Sequence, residues 1–434
     1  MIKEKIGFFI ELIIKDNKIA LILYLIILTL FRIPPFYIVP VRSFLYSSHT
    51  VASLILLILF AIYLIKIRKN NKKALNLSKD KILLIVILFF FSQSLSILSA
   101  FNIVEFIRVY KNIVLGVMFF IVSLGIINDF KKIDLILKIL IGTTILNFFI
   151  QLIIYFKPLF LYSILSGFLY DGYWKGMSVQ AERNRYFIEF FDGALIPLMF
   201  YFFIKLKQFL LKLLCILLIF LSYFLALISN FRIELVVVLF TTICTIFLFK
   251  NSKRYFFSLM ILVAIFLYIG RSVSISFVGY SSFERLLLED KEDTQTIINR
   301  IYYWKKAVDM GKSSPIFGIG LGNYYDYFSP KNISTSNKNE IAKMTLIHPH
   351  NVFFAAFAET GIIGLIAIIS LFGYFFISDY KRLKMSNNLT KLLIFSFWSL
   401  FISSLTGPRI IIQYIILFWI LRAVIEKNDA YFPP

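Results

Sequence analysis

The sequence predicts an all-α integral membrane protein, a polytopic bundle, and three features carry this prediction. Hydrophobic residues make up 59% of the 434 residues, and phenylalanine alone occurs 50 times, which exceeds the apolar share of a soluble domain. Most apolar runs are about 16 to 24 residues long, the length of a helix that crosses a bilayer. Basic residues lie in short tracts between these runs, as the positive-inside rule expects.

The apolar runs predict about twelve transmembrane helices in chain order. They lie near residues 19–37, 51–67, 82–100, 112–128, 134–156, 187–204, 209–229, 233–249, 255–270, 350–378, 392–407 and 409–425. Strongly basic connections such as residues 66–81 and 379–391 place both termini in the cytoplasm. The polar segments 157–186 and 271–349 are then predicted to lie outside.

This topology divides the chain into three predicted parts. Residues 1–270 hold the first nine transmembrane helices, residues 271–349 form a large, partly helical extracytoplasmic loop domain, and residues 350–434 hold the last three helices and a cytoplasmic tail. A loop of that length without secondary structure is improbable. We therefore expect it to contain helices of its own.

Helical spacing within the loop predicts one such helix. Ile297, Ile301, Trp304 and Val308 recur at helical intervals, which indicates an amphipathic helix, and Gly311 is expected to end it.

Three glycines follow this predicted helix: Gly318, Gly320 and Gly322. Their spacing could suggest a nucleotide-binding loop, but no βαβ context surrounds them. We interpret them as a turn that holds the loop against the membrane.

Charge and composition exclude other classes. The formal net charge of +22 could suggest nucleic acid, but its basic residues are dispersed between apolar runs. Both cysteines fall inside apolar segments, so neither a disulfide framework nor a cysteine-based metal site is expected. The acidic tract 288–293 is interpreted as a solvated loop. No metal ion and no cofactor are expected.

Three polar residues, far apart in the sequence, fall at the predicted outer face. Arg232 follows the turn between the seventh and eighth spans, Arg300 lies on the amphipathic loop helix, and His350 opens the tenth span. Polar groups at a membrane helix are costly and therefore informative. An unprotonated imidazole suits general-base work. The alternative is an interfacial histidine at a helix start that Asn351 caps.

The spacing of His350, Asn351, Gly361 and Gly364 resembles the signature of the bacterial O-antigen ligase and O-antigen polymerase superfamily. The segment from Arg300 through Trp304 to the glycine-rich turn, and Arg232 after a serine near an outer helix start, are also similar to that family. The resemblance runs from about residue 220 to residue 378.

The resemblance implies metal-independent, inverting glycosyl transfer at the outer face of the bacterial inner membrane. The donor would be an undecaprenyl-diphosphate-linked glycan, the acceptor a glycan or lipid A core, and membrane lipids would surround the protein. His350 would accept the proton of the attacking hydroxyl. Arg232 and Arg300 would neutralise the leaving diphosphate, since guanidinium groups form forked hydrogen bonds to phosphate.

Five further residues are expected to contact substrate: Asn351, Arg183, Arg185, Trp304 and Tyr324. The two arginines near residue 184 occupy a place where relatives carry a different stretch, so a basic cluster that binds phospholipid head groups is the alternative there. The motif glycines are expected to be structural.

Three functions remain open at this point. A ligase would attach a finished glycan to an acceptor, and a polymerase would join lipid-linked repeat units with the same donor chemistry. The histidine motif and the number of spans favour the ligase. A transporter or flippase would need charges inside several spans and broken helices at mid-membrane, whereas the charges here gather at one face.

Overall fold

A computed structural model describes residues 17–36, 47–69, 81–156, 159–169, 193–228, 232–248, 261, 264–265, 267–269, 271–272, 291–327, 349–405 and 415–431. Throughout these residues the regular secondary structure is helical, with one isolated bridge between Phe36 and Leu169 and no strand. The all-α prediction is confirmed for this part of the chain.

We number the longer helices in chain order. They are α1 (Asn17–Arg32), α2 (Ser48–Lys69), α3 (Lys81–Leu95), α4 (Ile103–Ile126), α5 (Phe130–Phe156), α6 (Leu159–Phe168), α7 (Ile196–Lys205), α8 (Phe209–Ile228), α9 (Arg232–Leu248), α10 (Lys291–Ser313), α11 (Val352–Met385), α12 (Asn388–Ser404) and α13 (Ile415–Tyr431).

Six of the described helices are long and apolar enough to cross a membrane: α2, α3, α4, α5, α8 and α11. Shorter apolar helices correspond to α7, α9 and α12. The chain is therefore a membrane protein. The predicted span 255–270 lies largely outside the described residues, so the count of twelve spans and the extracytoplasmic placement of the loop stay predictions.

Helix α4 begins at Ile103, not near residue 112 as the apolar run predicts. The Asn102 side chain accepts hydrogen bonds from the backbone N–H groups of Val104 and Glu105 and so caps the helix. The first turns of α4 contain charged residues, so they do not belong to the apolar run. Glu105 and Arg108 form an ion pair there at 2.5 Å. Capping and local ion pairing extend the helix beyond its apolar run.

The predicted helix end at Gly311 is also wrong, because α10 continues to Ser313. Gly311 lies inside the helix, where a Cβ atom would collide with the ring of Phe357. The buried side of α10 is formed by Tyr303, Ala307 and Met310, whereas Ile301 is 56% exposed. The packing partner α11, not the isoleucine spacing, decides which face is covered.

The acidic tract needs a smaller correction. Residues 291–293 of the predicted solvated loop belong to the first turn of α10, while the rest of the tract lies outside the described residues. A lysine and two acidic residues are compatible with a helix N-terminus, where negative charge is favoured by the helix dipole.

The end of α11 farther from His350 is fixed by a buried network of charges. Arg422 donates to both carboxylate oxygens of Asp379 at 2.9 Å and to Glu426 at 2.5 Å. Arg382 joins both acidic residues, and the Trp398 indole donates to Asp379 at 2.9 Å. Buried charges are tolerated when they are paired in this way. The network ties α11, α12 and α13 together.

Candidate active site

Helix α11 breaks at Gly361, which has φ 64° and ψ −162°. That backbone conformation is essentially restricted to glycine. A break leaves backbone carbonyl and N–H groups without helical partners, and such groups are costly in an apolar environment. A second segment therefore has to satisfy them.

That segment is the turn formed by residues 314–323, which we call the glycine turn. Four backbone hydrogen bonds join it to the break: Ile319 N to Ala358 O (2.9 Å), Gly320 N to Glu359 O (3.0 Å), Ile362 N to Pro315 O (2.8 Å) and Ile363 N to Ile316 O (3.5 Å). The glycine turn thus replaces the interrupted hydrogen bonds of α11. This joins the end of α10 to the interior of α11.

The motif glycines allow the close approach that this docking needs. Gly318, Gly320 and Gly322 have φ values of 70°, 96° and 78°. A Cβ atom on Gly318 would collide with the backbone of Glu359, and one on Gly361 would collide with the carbonyl group of Ile316. At these positions a side chain meets backbone atoms, which cannot move aside easily.

The last motif glycine has a different neighbour. A Cβ atom on Gly364 would collide with the side chain of Thr360, one turn earlier in α11. Thr360 is itself buried and donates to the Ala356 carbonyl at 2.7 Å. Gly364 therefore leaves room for a polar side chain within the helix.

The glycine turn is also bonded to α4 through Asn323. Its Oδ1 accepts the backbone N–H of Asn102 at 2.7 Å, and its Nδ2 donates to the Asn102 carbonyl at 3.2 Å. Asn323 is fully buried. Because Asn102 is the N-cap of α4, one asparagine pair connects the start of α4 to the glycine turn.

His350 lies immediately before α11 and is half-buried. It has φ 51°, a left-handed conformation that non-glycine residues seldom adopt. The preceding carbonyl, of Pro349, accepts a hydrogen bond from the Trp304 indole Nε1 at 2.9 Å. The ring of Tyr303 lies beside the imidazole, with 6.1 Å between ring centroids. Helix α10 therefore contacts the segment that carries His350.

Asn351 caps α11, as the alternative interpretation of the sequence states. Its Oδ1 accepts the backbone N–H groups of Phe353 and Phe354 at 2.9 and 3.2 Å, and its Nδ2 donates to the Leu405 carbonyl at 3.1 Å. The residue thus joins the start of α11 to the end of α12. Its expected contact with substrate stays a prediction.

Arg300 lies on the face of α10 that contacts the His350 segment. It precedes Tyr303 by three residues and Trp304 by four, and residues at those intervals share one side of a helix. Arg300 is half-buried. The helix geometry therefore places the guanidinium-bearing residue about one turn, roughly 5 Å along the axis, from the residues that touch His350 and Pro349.

The chain direction places the backbone of Arg232 at the end of the bundle that carries the glycine turn. Lys205, which ends α7, pairs with Asp134 near the start of α5 at 3.0 Å, and α8 begins close by and runs away from that end. Tyr223 donates to Thr242 at 2.6 Å, as expected for an antiparallel α8–α9 pair. Arg232 begins α9 and therefore lies at the end opposite Lys205.

The start of α5 follows the end of α4 closely, and α4 begins beside the glycine turn. The end of the bundle that carries Arg232 is therefore also the end that carries the glycine turn. The convergence of Arg232 on His350 and Arg300 stays a prediction. Arg183 and Arg185 lie outside the described residues.

Tyr324 is buried next to Tyr303, the residue whose ring lies beside His350. Its hydroxyl donates to the Tyr303 carbonyl at 3.0 Å, and its backbone N–H donates to Glu359 Oε1 at 3.3 Å. Burial raises the pKa of both tyrosine phenols, so both stay protonated near neutral pH. Tyr324 is 1% exposed, and its expected contact with substrate stays a prediction.

Three residues absent from the predicted set join these elements: Tyr303, Asn323 and Glu359. Glu359 is buried within α11, and its carboxylate accepts the backbone N–H groups of Gly322 and Tyr324. A carboxylate inside an otherwise apolar run is the sequence signal that marks it. Tyr303 and Asn323 carry no such signal beyond their place beside the Trp and Gly motifs.

Within the described ranges, no group of three or more His, Cys, Asp or Glu side chains is arranged to hold a metal ion.

Comparison with known proteins agrees with the motifs. Residues 216–369 match the family model described as O-antigen ligase, a stretch that begins in α8 and ends within α11. The match confirms the superfamily that the sequence resembles. An 88-residue segment is 31% identical to the exopolysaccharide production protein ExoQ of Rhizobium meliloti (strain 1021). That alignment covers 20% of this chain and 20% of the relative.

Proposed function

We propose that the protein is a membrane-embedded inverting glycosyltransferase of the O-antigen ligase type. It transfers a glycan from undecaprenyl diphosphate to an acceptor hydroxyl at the outer face of the inner membrane. The observation that carries the proposal is the contact of α10 with the His350 segment, through the Trp304 hydrogen bond to Pro349 and the Tyr303 ring. This contact joins the Arg300 face of α10 to a histidine at a membrane helix start.

The proposed reaction uses His350 as general base. Its neutral imidazole accepts the acceptor hydroxyl proton while the hydroxyl oxygen attacks the anomeric carbon of the donor. The bond from that carbon to the diphosphate oxygen breaks, and the diphosphate leaves with the bonding electron pair. Attack from the face opposite the leaving group inverts the anomeric configuration.

Arg300 and Arg232 are proposed to stabilise the leaving group. Negative charge accumulates on the diphosphate as its bond to the sugar breaks, and fixed guanidinium groups stabilise that charge more in the transition state than in the ground state. Two arginines from different helices can contact different phosphate oxygens. This arrangement requires no cofactor.

The second candidate is a polymerase that joins lipid-linked repeat units. The similarity to a protein named for exopolysaccharide production favours it. Both candidates use one donor class and the same residues, and they differ only in the acceptor. Deletion of the gene followed by glycan analysis separates them. A ligase defect retains long lipid-linked chains, whereas a polymerase defect accumulates single repeat units.

Transfer in vitro tests the proposed chemistry. Purified protein in lipid nanodiscs is mixed with an undecaprenyl-diphosphate-linked glycan, an acceptor glycan and a chelator, and released undecaprenyl diphosphate is measured by mass spectrometry. We expect release that depends on the acceptor and persists with the chelator. Release that stops with the chelator contradicts the metal-free mechanism, and the absence of release with both lipid A core and lipid-linked acceptors contradicts the transferase.

A further inference from the structure

The backbone conformation of His350 is unusual for a residue that carries a side chain. His350 is the one non-glycine residue in the described ranges with a positive φ, 51°. Side chains disfavour this left-handed conformation because the Cβ atom approaches the following carbonyl oxygen. Such a conformation persists only where the neighbouring structure holds it.

One restraint acts on the residue before His350. The Trp304 indole donates from Nε1 to the Pro349 carbonyl at 2.9 Å. That carbonyl belongs to the peptide plane between Pro349 and His350, so the bond fixes the plane whose rotation would change the φ angle of His350. The indole is itself fixed, because its ring stacks on Phe354 with 5.2 Å between centroids and 13° between planes.

A second restraint acts on the residue after His350. Asn351 caps α11 and donates to Leu405 at 3.1 Å. His350 is therefore held from both sides, by α10 through Trp304 and by α12 through Asn351. Imidazole orientation follows from these restraints, since the side chain leaves the backbone in a direction that the φ angle sets.

We propose that Trp304 is a positioning residue that holds His350 in its left-handed conformation through the Pro349 carbonyl, and does not act by contacting substrate. The inference rests on the proposed function of His350. One face of the indole is covered by Phe354 and its only polar atom is bonded to Pro349, so the indole N–H is already used within the protein and is not available to a sugar hydroxyl.

The proposal predicts the effect of removing the indole N–H alone. Trp304→Phe keeps an aromatic ring against Phe354 but cannot donate to Pro349. The peptide plane can then rotate and His350 can relax to a negative φ, which moves the imidazole away from the attacking hydroxyl. A displacement near 1 Å typically lowers the rate about 10²-fold. We expect kcat to fall by about 10- to 100-fold on that basis, with KM for the donor little changed.

Trp398→Phe is the matched control. Trp398 also donates from its indole, to Asp379 at 2.9 Å, but it belongs to the charged network at the far end of α11. The two substitutions make the same chemical change, the loss of an indole N–H donor, near opposite ends of α11. Per folded molecule, Trp398→Phe should retain the kcat of the parent protein. Equal loss of kcat in both variants overturns the positioning role, because a general loss of packing then explains it.

The KM of Trp304→Phe decides between positioning and substrate contact. A rise in donor or acceptor KM with kcat unchanged means that the indole binds substrate, which overturns the proposal. Parent values of both constants also overturn it.

An activity-independent measurement keeps this inference separate from the proposed function. The chain has three histidines, so labelled imidazole resonances can be assigned with His350→Ala and His348→Ala in nanodiscs. Trp304→Phe should shift or broaden the His350 resonance and leave that of His49 unchanged, whereas Trp398→Phe should leave both unchanged. An unshifted His350 resonance overturns the positioning role, while a fully active His350→Ala protein overturns the proposed function alone.

Discussion

Substitution of Gly361 by alanine should destabilise the protein strongly. A non-glycine residue at φ 64° and ψ −162° costs on the order of 1–3 kcal/mol in backbone strain. The added Cβ atom also collides with the Ile316 carbonyl group and pushes the glycine turn away from α11. Loss of the four backbone hydrogen bonds between them adds about 1 kcal/mol each. We expect a total loss of about 5 to 7 kcal/mol.

The control lies in the same helix. Gly373→Ala places its Cβ atom in open space, with nothing within 4 Å, and alanine favours helix over glycine by about 1 kcal/mol. Gly373→Ala should therefore be neutral or stabilising. The assay is unfolding by denaturant in detergent, followed by circular dichroism. Equal free energies of unfolding for Gly361→Ala and the parent protein would refute the docking of the glycine turn into the break.

Three other substitutions test charge. Arg300→Lys keeps the positive charge but loses the forked donors, so transfer in vitro should lose about 1.5 to 3 kcal/mol of transition-state stabilisation. Arg232→Lys should have a similar effect. Full activity in both variants would exclude forked hydrogen bonds from these arginines to the diphosphate. Asp379→Asn leaves Arg422 with one carboxylate partner, Glu426. The free energy of unfolding should therefore fall by about 3 to 5 kcal/mol. Denaturation like that of the parent protein would show that the network does not contribute to stability.

The transmembrane helices could be predicted from sequence because a long apolar run has few alternatives in a membrane. Backbone polar groups must be satisfied within the segment, and a helix does this locally. The described spans α2, α3 and α5 follow the predicted runs for this reason. The early start of α4 was missed because the hydropathy pattern gives no weight to the Asn102 cap.

The break in α11 could not be predicted from its own sequence. Glycine is common in membrane helices. The motif spacing marks Gly361, but its position in the apolar run gives no sign of a break that Gly373 lacks. What distinguishes them is a partner more than thirty residues earlier, the glycine turn, whose N–H groups reach Ala358 and Glu359. Long-range docking of this kind leaves only a weak trace in sequence spacing.

The site was predictable in its residue types more than in their contacts. Arg300, Trp304 and His350 were selected by motif, and the structure brings Trp304 to the residue before His350. The buried face of α10 was not predicted correctly, because isoleucine spacing indicated Ile301 as buried, whereas α11 covers Tyr303 and Ala307. Which face is buried depends on the neighbouring helix, which the sequence of α10 does not contain.

Glycan transfer by His350→Ala tests the central claim most directly. The variant is purified in parallel with His348→Ala, which removes the histidine two residues earlier. His348 lies outside the described residues. Transfer from the undecaprenyl-diphosphate-linked donor is measured for both at equal folded concentration. We predict that His350→Ala loses about 10²- to 10⁴-fold in rate, as expected for removal of a general base, while His348→Ala stays close to the parent rate. A parent-like rate in His350→Ala, or equal loss in both variants, contradicts the assignment of His350 as the base.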